Sequence, residues 1–222
     1  MKIASRLYCI RHGILCGLLV SVTFFGCAAN QTANISQGQS EMQSQNHVAA
    51  LESFREVRKR EPRNLVALLG ESAALGEIGH LKEALKVLDD ALILSPNNVT
   101  VFYNQGILNM QLGRFRAAES CFSSAIAINP EWADLFWSRG TAYDELAEWD
   151  KAISDYNEAL HLNPHNANVY NNRAKTRLSM QDYDGAMADI EEALRLDPVH
   201  PKASGIKKEI EELSETSSRG RR

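Results

Sequence analysis

Five prolines recur along the chain at one fixed interval. They are Pro62, Pro96, Pro130, Pro164 and Pro198, and 34 residues separate each from the next. A constant period of this length is typical of repeat architectures, in which each unit packs on its neighbours. Alignment on the prolines gives four full repeats, which cover residues 65–98, 99–132, 133–166 and 167–200. Positions within a repeat are numbered here as columns 1–34, with column 1 at Leu65 in the first repeat.

The same columns hold the same kinds of side chain in every repeat. Column 8 is always small, with Ser72, Gly106, Gly140 and Ala174. Column 24 is always large and mostly apolar, with Leu88, Phe122, Tyr156 and Ile190. At about 100° per residue, columns 4, 8 and 11 share one face of a first helix, and columns 20, 24 and 27 share one face of a second. Each repeat is therefore predicted to be a helical hairpin that ends at its proline.

This 34-residue helix-turn-helix pattern resembles the tetratricopeptide repeat (TPR) over residues 65–200. The resemblance implies an all-α fold, an α-solenoid of TPR hairpins wound into a right-handed superhelix with a concave groove. A leading helix is expected at residues 47–62, unpaired because its partner would fall in a polar stretch. Residues 201–215 are expected to form a capping helix, and residues 216–222 a disordered tail.

The amino terminus has the pattern of an export signal. Lys2, Arg6 and Arg11 precede residues 13–25, which are uncharged and mostly apolar, so residues 1–26 are predicted to be a signal peptide. This apolar run is too short for an ordinary membrane-spanning helix. Cys27 follows a glycine, which resembles the bacterial lipoprotein signal and implies that Cys27 carries a lipid anchor.

Two alternatives to the lipoprotein remain open. One is a plain signal peptide cut near Ala28 or Ala29, and the other is an uncleaved signal anchor. The lipoprotein resemblance implies export to the cell envelope, and Ala28 after the cysteine implies the outer membrane, facing the periplasm. Residues 27–46 are rich in Gln, Asn and Ser, and we expect a disordered tether there.

The resemblance also places columns 2, 5, 6, 9, 12 and 13 along the concave groove. The candidate partner-binding residues are Tyr103, Asn104, Ile107, Trp137, Ser138, Thr141, Asn171, Asn172 and Lys175. Aromatic side chains give large contact area, and amides can bind the main chain of an extended partner segment. Tyr103 and Asn104 form a pair common in the family, so a purely scaffolding role is also open for them. The basic clamp of cochaperones that bind a terminal carboxylate is absent from these columns.

Two buried columns change together along the repeats. Column 7 holds Glu71, Gln105, Arg139 and Arg173, while column 23 holds Val87, Cys121, Asp155 and Asp189. Arginine and aspartate thus occur together in repeats 3 and 4, and an unpaired buried guanidinium is costly. We favour structural ion pairs within a repeat, Arg139 with Asp155 and Arg173 with Asp189. The alternative joins Arg173 to Asp155 and Lys207 to Asp189, and it leaves Arg139 without a counter-charge.

The sequence gives little support to a chemical function. Residues 133–166 hold seven acids against two bases, which disfavours binding to a nucleic-acid backbone. His161 and His165 are separated by Pro164, so no metal site is expected. No phosphate-binding glycine loop or nucleophile elbow occurs, and we therefore expect no cofactor and no enzyme activity.

The predicted function is that of a non-enzymatic adaptor on the cell envelope. It would bind another protein in the concave groove, through an extended segment or a helix, while the lipid on Cys27 holds it to the membrane. Two alternatives are a membrane-anchored cytosolic interaction module and a structural subunit that oligomerises through its convex face.

Overall fold

The computed structural model describes residues 34–220, with side chains through residue 213. The predicted signal peptide and Cys27 lie outside the described residues. All regular structure within residues 34–220 is helical. The helices are α1 (34–43), α2 (His47–Arg60), α3 (Leu65–Glu77), α4 (Leu81–Leu94), α5 (Val99–Gln111), α6 (Phe115–Ile128), α7 (Ala133–Glu145), α8 (Trp149–Leu162), α9 (Ala167–Ser179), α10 (Tyr183–Leu196) and α11 (Ala203–Gly220).

The helices form consecutive antiparallel hairpins in two compact units that divide after Leu94. The first unit contains α1–α4, and the second contains α5–α11. In each of the four full repeats the first helix has 13 residues and the second has 14. Every first helix begins at column 1, so the helix starts follow the proline period of the sequence.

Column 34 supplies the residue before the next first helix, and in most repeats it caps that helix. The Oδ1 atom of Asn64 accepts from the N–H of Ala67 at 3.0 Å, and Asn98 caps α5 in the same way. Asn166 caps α9 by accepting from the N–H two residues further on, that of Asn168. His200 caps α11 through Nδ1, which accepts from the N–H of Ala203 at 3.2 Å. These bonds satisfy amide groups that a helix leaves free at its first turn.

Each hairpin turns through a residue with left-handed backbone at column 15. The φ angle is 84° at Gly79, 68° at Gly113, 56° at Ala147 and 63° at Gln181. The left-handed region ends the first helix and reverses the chain within a few residues. Glycine adopts it without strain, whereas Ala147 and Gln181 carry a Cβ atom that crowds the next carbonyl.

In repeats 2 and 3, the two helices of the hairpin touch where a column 24 ring covers a column 8 glycine. A Cβ atom added to Gly106 would lie 2.3 Å from Cε1 of Phe122, and one added to Gly140 would lie 2.8 Å from Cε1 of Tyr156. Both rings are fully buried. The absence of a side chain at column 8 is therefore what allows the rings to fill the hairpin core.

The expected disordered tether over residues 27–46 is wrong for residues 34–43, which form α1. The leading helix α2 is consequently paired. Gly38 is buried against the ring of Phe54, and the hydroxyl of Ser53 donates to Glu41 Oε2 at 2.8 Å. Gln45 has a φ of 61°, the same left-handed turn as in the other hairpins. The contact between α1 and α2 requires only a glycine on α1, and the glutamines of α1 are good helix formers. A polar sequence can therefore form this helix.

The carboxy-terminal helix is longer than expected. α11 runs from Ala203 to Gly220, beyond the predicted end at residue 215 and into the predicted disordered tail. Its buried Ala203 and Ile210 join a core cluster with Ala174 and Ile190. Residues 214–219 contain neither glycine nor proline, so nothing in the sequence stops the helix before Gly220.

Candidate protein-binding groove

Three first helices of the second unit bring the candidate groove residues together. α7 contacts α5 on one side and α9 on the other. The candidates Tyr103, Asn104, Ile107, Trp137, Ser138, Thr141 and Asn172 are partly exposed, Asn171 is buried, and Lys175 is exposed. The surface formed by these residues of α5, α7 and α9 is called the groove below.

The α5 side of the groove is apolar. Tyr103, Ile107 and Met110 pack on the buried cluster that contains Phe122. The ring of Tyr103 also stacks on Trp132, with ring centroids 4.9 Å apart. Burial raises the pKa of the Tyr103 hydroxyl above its ordinary value, against a smaller opposing effect of its hydrogen bond with Ser138. This hydrogen bond joins α5 to α7 in the groove.

Two buried polar atoms in the groove have no hydrogen-bond partner among the described residues. They are Nε1 of Trp137 and Oδ1 of Asn171. Both residues occupy column 5, Trp137 on α7 and Asn171 on α9, and Asn171 is only 3% exposed. A buried donor or acceptor without a partner costs about 1–3 kcal/mol. The groove thus has one unpaired hydrogen-bonding atom on each of two adjacent first helices, α7 and α9.

A carboxylate at the far end of α7 ties it to α9. Asp144 Oδ1 accepts from the hydroxyl of Thr176 at 2.8 Å, and its Oδ2 lies 3.6 Å from Nζ of Lys175. Thr141 directs its own hydroxyl to the main-chain oxygen of Trp137 at 3.0 Å. Thr141 is therefore a structural member of the groove, and Asp144 leaves Lys175 only partly available to a partner.

The column 7 arginines pair within their own repeats. Arg139 donates to Asp155 through two bonds of 2.8 Å, from Nε and from Nη2. Arg173 donates to Asp189 in the same way, at 2.9 and 2.5 Å. Asp155 and Asp189 are 6% and 3% exposed, so both pairs belong to the hairpin core. The hydrogen bond to Asp155 raises the pKa of Arg139 above its ordinary value.

Each of these pairs has further partners that the pattern of columns did not indicate. Arg177 on α9 also donates to Asp189, at 2.7 Å. The third nitrogen of each column 7 arginine reaches column 25 of the preceding repeat, Ser123 for Arg139 and Asn157 for Arg173. Polar side chains at column 25 are the sequence signal that could have indicated this link.

The first unit contains the same kind of cluster with the charges reversed. Glu71 at column 7 is 3% exposed and accepts from Nε of Arg55 at 3.2 Å and from Nη1 of Arg58 at 3.1 Å. Both arginines belong to α2. Arg55 and Arg58 therefore neutralise a buried carboxylate.

Two kinds of feature are missing from residues 34–220. None of the described helices combines the length and the apolar character that crossing a membrane requires. No group of three His, Cys, Asp or Glu side chains in this part of the chain is placed to hold a metal ion.

Comparison with protein families assigns the repeats. Models described as tetratricopeptide repeats match residues 35–99, 99–131 and 167–200, and a TPR repeat model matches residues 145–181. The match over residues 35–99 includes α1 and its partner α2. The chain belongs to the tetratricopeptide repeat family, and its fold is the all-α TPR solenoid predicted from the sequence.

Several solved structures share this fold. The crystal structure of MamA protein is 24% identical, with a TM-score of 0.66 over 78% of this chain and 94% of that one. MamA 41-end from Desulfovibrio magneticus RS-1 is 20% identical, with a TM-score of 0.70 over 77% and 97%. TTC0263, a thermophilic TPR protein in Thermus thermophilus, is 22% identical, with a TM-score of 0.66 over 81% and 98%. Comparison with curated proteins finds no match.

At these identities the similarity shows the fold alone. The TPR fold supports protein–protein interaction in general, and proteins of the family are typically interaction modules and not enzymes.

Proposed function

We propose that the protein is a non-enzymatic adaptor that holds an extended segment of a partner protein in the groove of α5, α7 and α9. The observation that carries the proposal is the pair of unsatisfied atoms, Nε1 of Trp137 and Oδ1 of Asn171. An extended peptide presents carbonyl oxygens and amide hydrogens along its length. Because both atoms are buried, a bound main chain would satisfy them by drawing the two side chains outward, and this would recover the free energy that their burial costs.

The rest of the groove fits such a segment. Tyr103 and Ile107 provide an apolar surface for partner side chains, with little conformational entropy to lose at the tyrosine. Asn104 and Asn172 are partly exposed and offer further amide groups. Because first helices from three successive repeats contribute, the binding surface extends along the direction of stacking.

The experiment selects ligands for the full-length protein from a library of random 12-residue peptides displayed on phage. Enriched peptides are then measured by fluorescence anisotropy against wild type, Trp137→Phe and Asn171→Leu. Each substitution removes an unpaired polar atom and keeps a side chain of similar shape. We expect each variant to bind at least about tenfold more weakly, the loss of one buried hydrogen bond.

Trp149→Phe is the matched control, because Trp149 is exposed at the start of α8 and outside the groove. It should bind like wild type. Peptides that bind Trp137→Phe and Asn171→Leu as tightly as wild type would show that the groove is not the binding surface. The absence of any enriched peptide would count equally against the proposal.

We also propose that this adaptor is a lipoprotein of the outer membrane, held through Cys27 and facing the periplasm. The support comes from the sequence, in which Lys2, Arg6 and Arg11 precede an apolar run that ends just before Gly26 and Cys27. An intact-mass measurement separates the lipoprotein from a membrane-anchored cytosolic module. The first loses residues 1–26 and gains acyl chains, while the second keeps its full length.

A further inference from the structure

One repeat breaks the capping pattern of column 34. Asn64, Asn98, Asn166 and His200 each accept a hydrogen bond from an amide in the first turn of the following helix. Trp132 takes this position before α7, and α7 has no side-chain cap. Replacing an asparagine cap by a residue that cannot cap costs about 1 kcal/mol. Tryptophan at this position therefore weakens the start of α7.

The indole of Trp132 borders the groove at Tyr103. Its ring stacks on Tyr103 at a centroid distance of 4.9 Å and an interplanar angle of 38°. Its Nε1 lies 3.4 Å from Oδ2 of Asp134, to which it donates. Trp132, Tyr103 and Asp134 are all partly exposed. The three side chains form an aromatic surface with a carboxylate at its edge, called the aromatic–acidic corner below.

The corner lacks a counter-charge of its own. No lysine or arginine among the described residues forms an ion pair with Asp134. By contrast, Asp144, Glu148 and Asp155 of the same repeat each have a basic partner. The charge of Asp134 acts on the corner itself, where it contributes to the raised pKa of Tyr103. A cation from a partner could therefore pair with Asp134 without displacing a lysine or arginine of this chain.

We propose that the aromatic–acidic corner binds an arginine side chain of the partner segment. A guanidinium is planar, so it can stack on the indole of Trp132 while its N–H groups donate to Asp134. The ring quadrupoles and the carboxylate both favour a positive charge at the corner. This inference rests on the proposed function, because it names one side chain of the segment that the groove would hold.

The position of the corner agrees with this ligand. Trp132, Asp134 and Trp137 lie at columns 34, 2 and 5 around the first turns of α7. A segment that places an arginine in the corner would thus pass along the first turns of α7, where Trp137 lies. Partner segments with an acidic residue at this point would be repelled by Asp134, which gives the groove a selectivity for basic segments.

The experiment titrates ¹⁵N-labelled full-length protein with N-acetyl-arginine methylamide and, as the neutral isostere, N-acetyl-citrulline methylamide. We expect saturable shifts of the Trp132 indole and of the Ser138 amide with the arginine probe. Affinity for the citrulline probe should be at least fivefold lower. Equal affinity for the two probes would overturn the proposal.

Two variants test the residues. Asp134→Asn should weaken the arginine probe at least fivefold and leave the citrulline probe unchanged. Trp132→Asn should also weaken the arginine probe, because it removes the ring on which the guanidinium stacks. Unchanged arginine affinity in Asp134→Asn would overturn the inference.

The two proposals fail in distinguishable ways. Enriched phage peptides whose binding depends on Trp137 and Asn171 but that contain no arginine would refute arginine binding at the corner and would support the groove function. Arginine binding at the corner, together with peptides whose affinity is unchanged by substitution of Trp137 and Asn171, would refute the groove function. The small probes do not require a bound peptide, so the second result can be obtained independently.

Discussion

Arg139 and Asp155 face each other across one hairpin and share two parallel hydrogen bonds of 2.8 Å. Replacing either residue alone would leave a charge without its partner in the core. We expect Asp155→Leu or Arg139→Met to cost about 3 kcal/mol in the free energy of unfolding, and the double variant to cost less than the sum. Urea unfolding of the four proteins measures the coupling.

The exposed pair of Lys208 and Glu212 on α11 is the control for this cycle. Its charged atoms are 3.6 Å apart and its side chains are 78% and 68% exposed, so no coupling should be measurable there. Strictly additive losses at Arg139 and Asp155 would contradict the structural role of the pair.

A larger side chain at column 8 should force the hairpin apart. Because a Cβ atom on Gly140 already meets the ring of Tyr156 at 2.8 Å, Gly140→Leu is expected to lower the free energy of unfolding by about 3 kcal/mol through overpacking. Gly205 on α11 has no atom within 4 Å of an added Cβ. Gly205→Ala should therefore stabilise the protein slightly. Chemical denaturation checks both, and a loss below about 0.5 kcal/mol for Gly140→Leu would refute the contact.

Glycine should be favourable at the two strained turns. Ala147 and Gln181 have φ angles of 56° and 63°, whereas the equivalent positions in the preceding repeats are Gly79 and Gly113. Ala147→Gly and Gln181→Gly are each expected to raise stability by about 0.5–1 kcal/mol, because the strain of a left-handed Cβ exceeds the extra chain entropy of glycine. The opposite change, Gly79→Ala, should destabilise. Melting temperatures that fall in both glycine variants would contradict the assignment.

Alkaline pH should unfold the protein partly through Tyr156. Burial raises the pKa of this tyrosine well above its ordinary value of 10.0. The folded state then keeps a proton that the unfolded state releases, so stability decreases as pH rises above 10. In Tyr156→Phe this slope should be smaller, although burial also raises the pKa values of Tyr103 and Tyr143. Urea midpoints between pH 9 and about pH 11.5 test the difference, and equal slopes would exclude the contribution of Tyr156.

Substitution of Cys27 should change where the protein is found. If Cys27 receives the lipid, Cys27→Ser either stays unprocessed or leaves the membrane fraction. Membrane fractionation and intact mass of both proteins give the answer. A variant that fractionates and migrates like wild type would mean that Cys27 is not the anchor.

The hairpins of the full repeats could be predicted from the sequence because large and small residues alternate by column. A large side chain at column 24 that faces a small residue at column 8 leaves little freedom in how two helices pack. The hairpin of α1 and α2 was missed because its contact is made by Gly38, which gives no apolar pattern. Sequence periodicity detects a helix through the side chains it buries, and α1 buries almost none.

The candidate site was only partly predictable for a similar reason. The TPR resemblance implied the groove residues, and the columns favoured pairing of Arg139 and Arg173 within their own repeats over pairing across repeats. The columns did not indicate the ion pairs of Glu71. In these pairs the acid is at column 7, and its partners Arg55 and Arg58 lie in the preceding hairpin. Trp132 could not be singled out from the sequence, because the capping role of the other column 34 residues depends on backbone geometry.

The location of the buried charges also determines which repeats can be duplicated or removed without leaving a charge unpaired. Repeat 3 contains both members of its ion pair, so a duplication of residues 133–166 would bring the counter-ion together with the arginine. Removal of residues 65–98 would instead take away Glu71, Glu83 and Asp90, the carboxylates that α2 relies on for Arg55 and Arg58. Gene duplication can therefore lengthen this array from repeat 3, whereas its first full repeat is inseparable from the helix that precedes it.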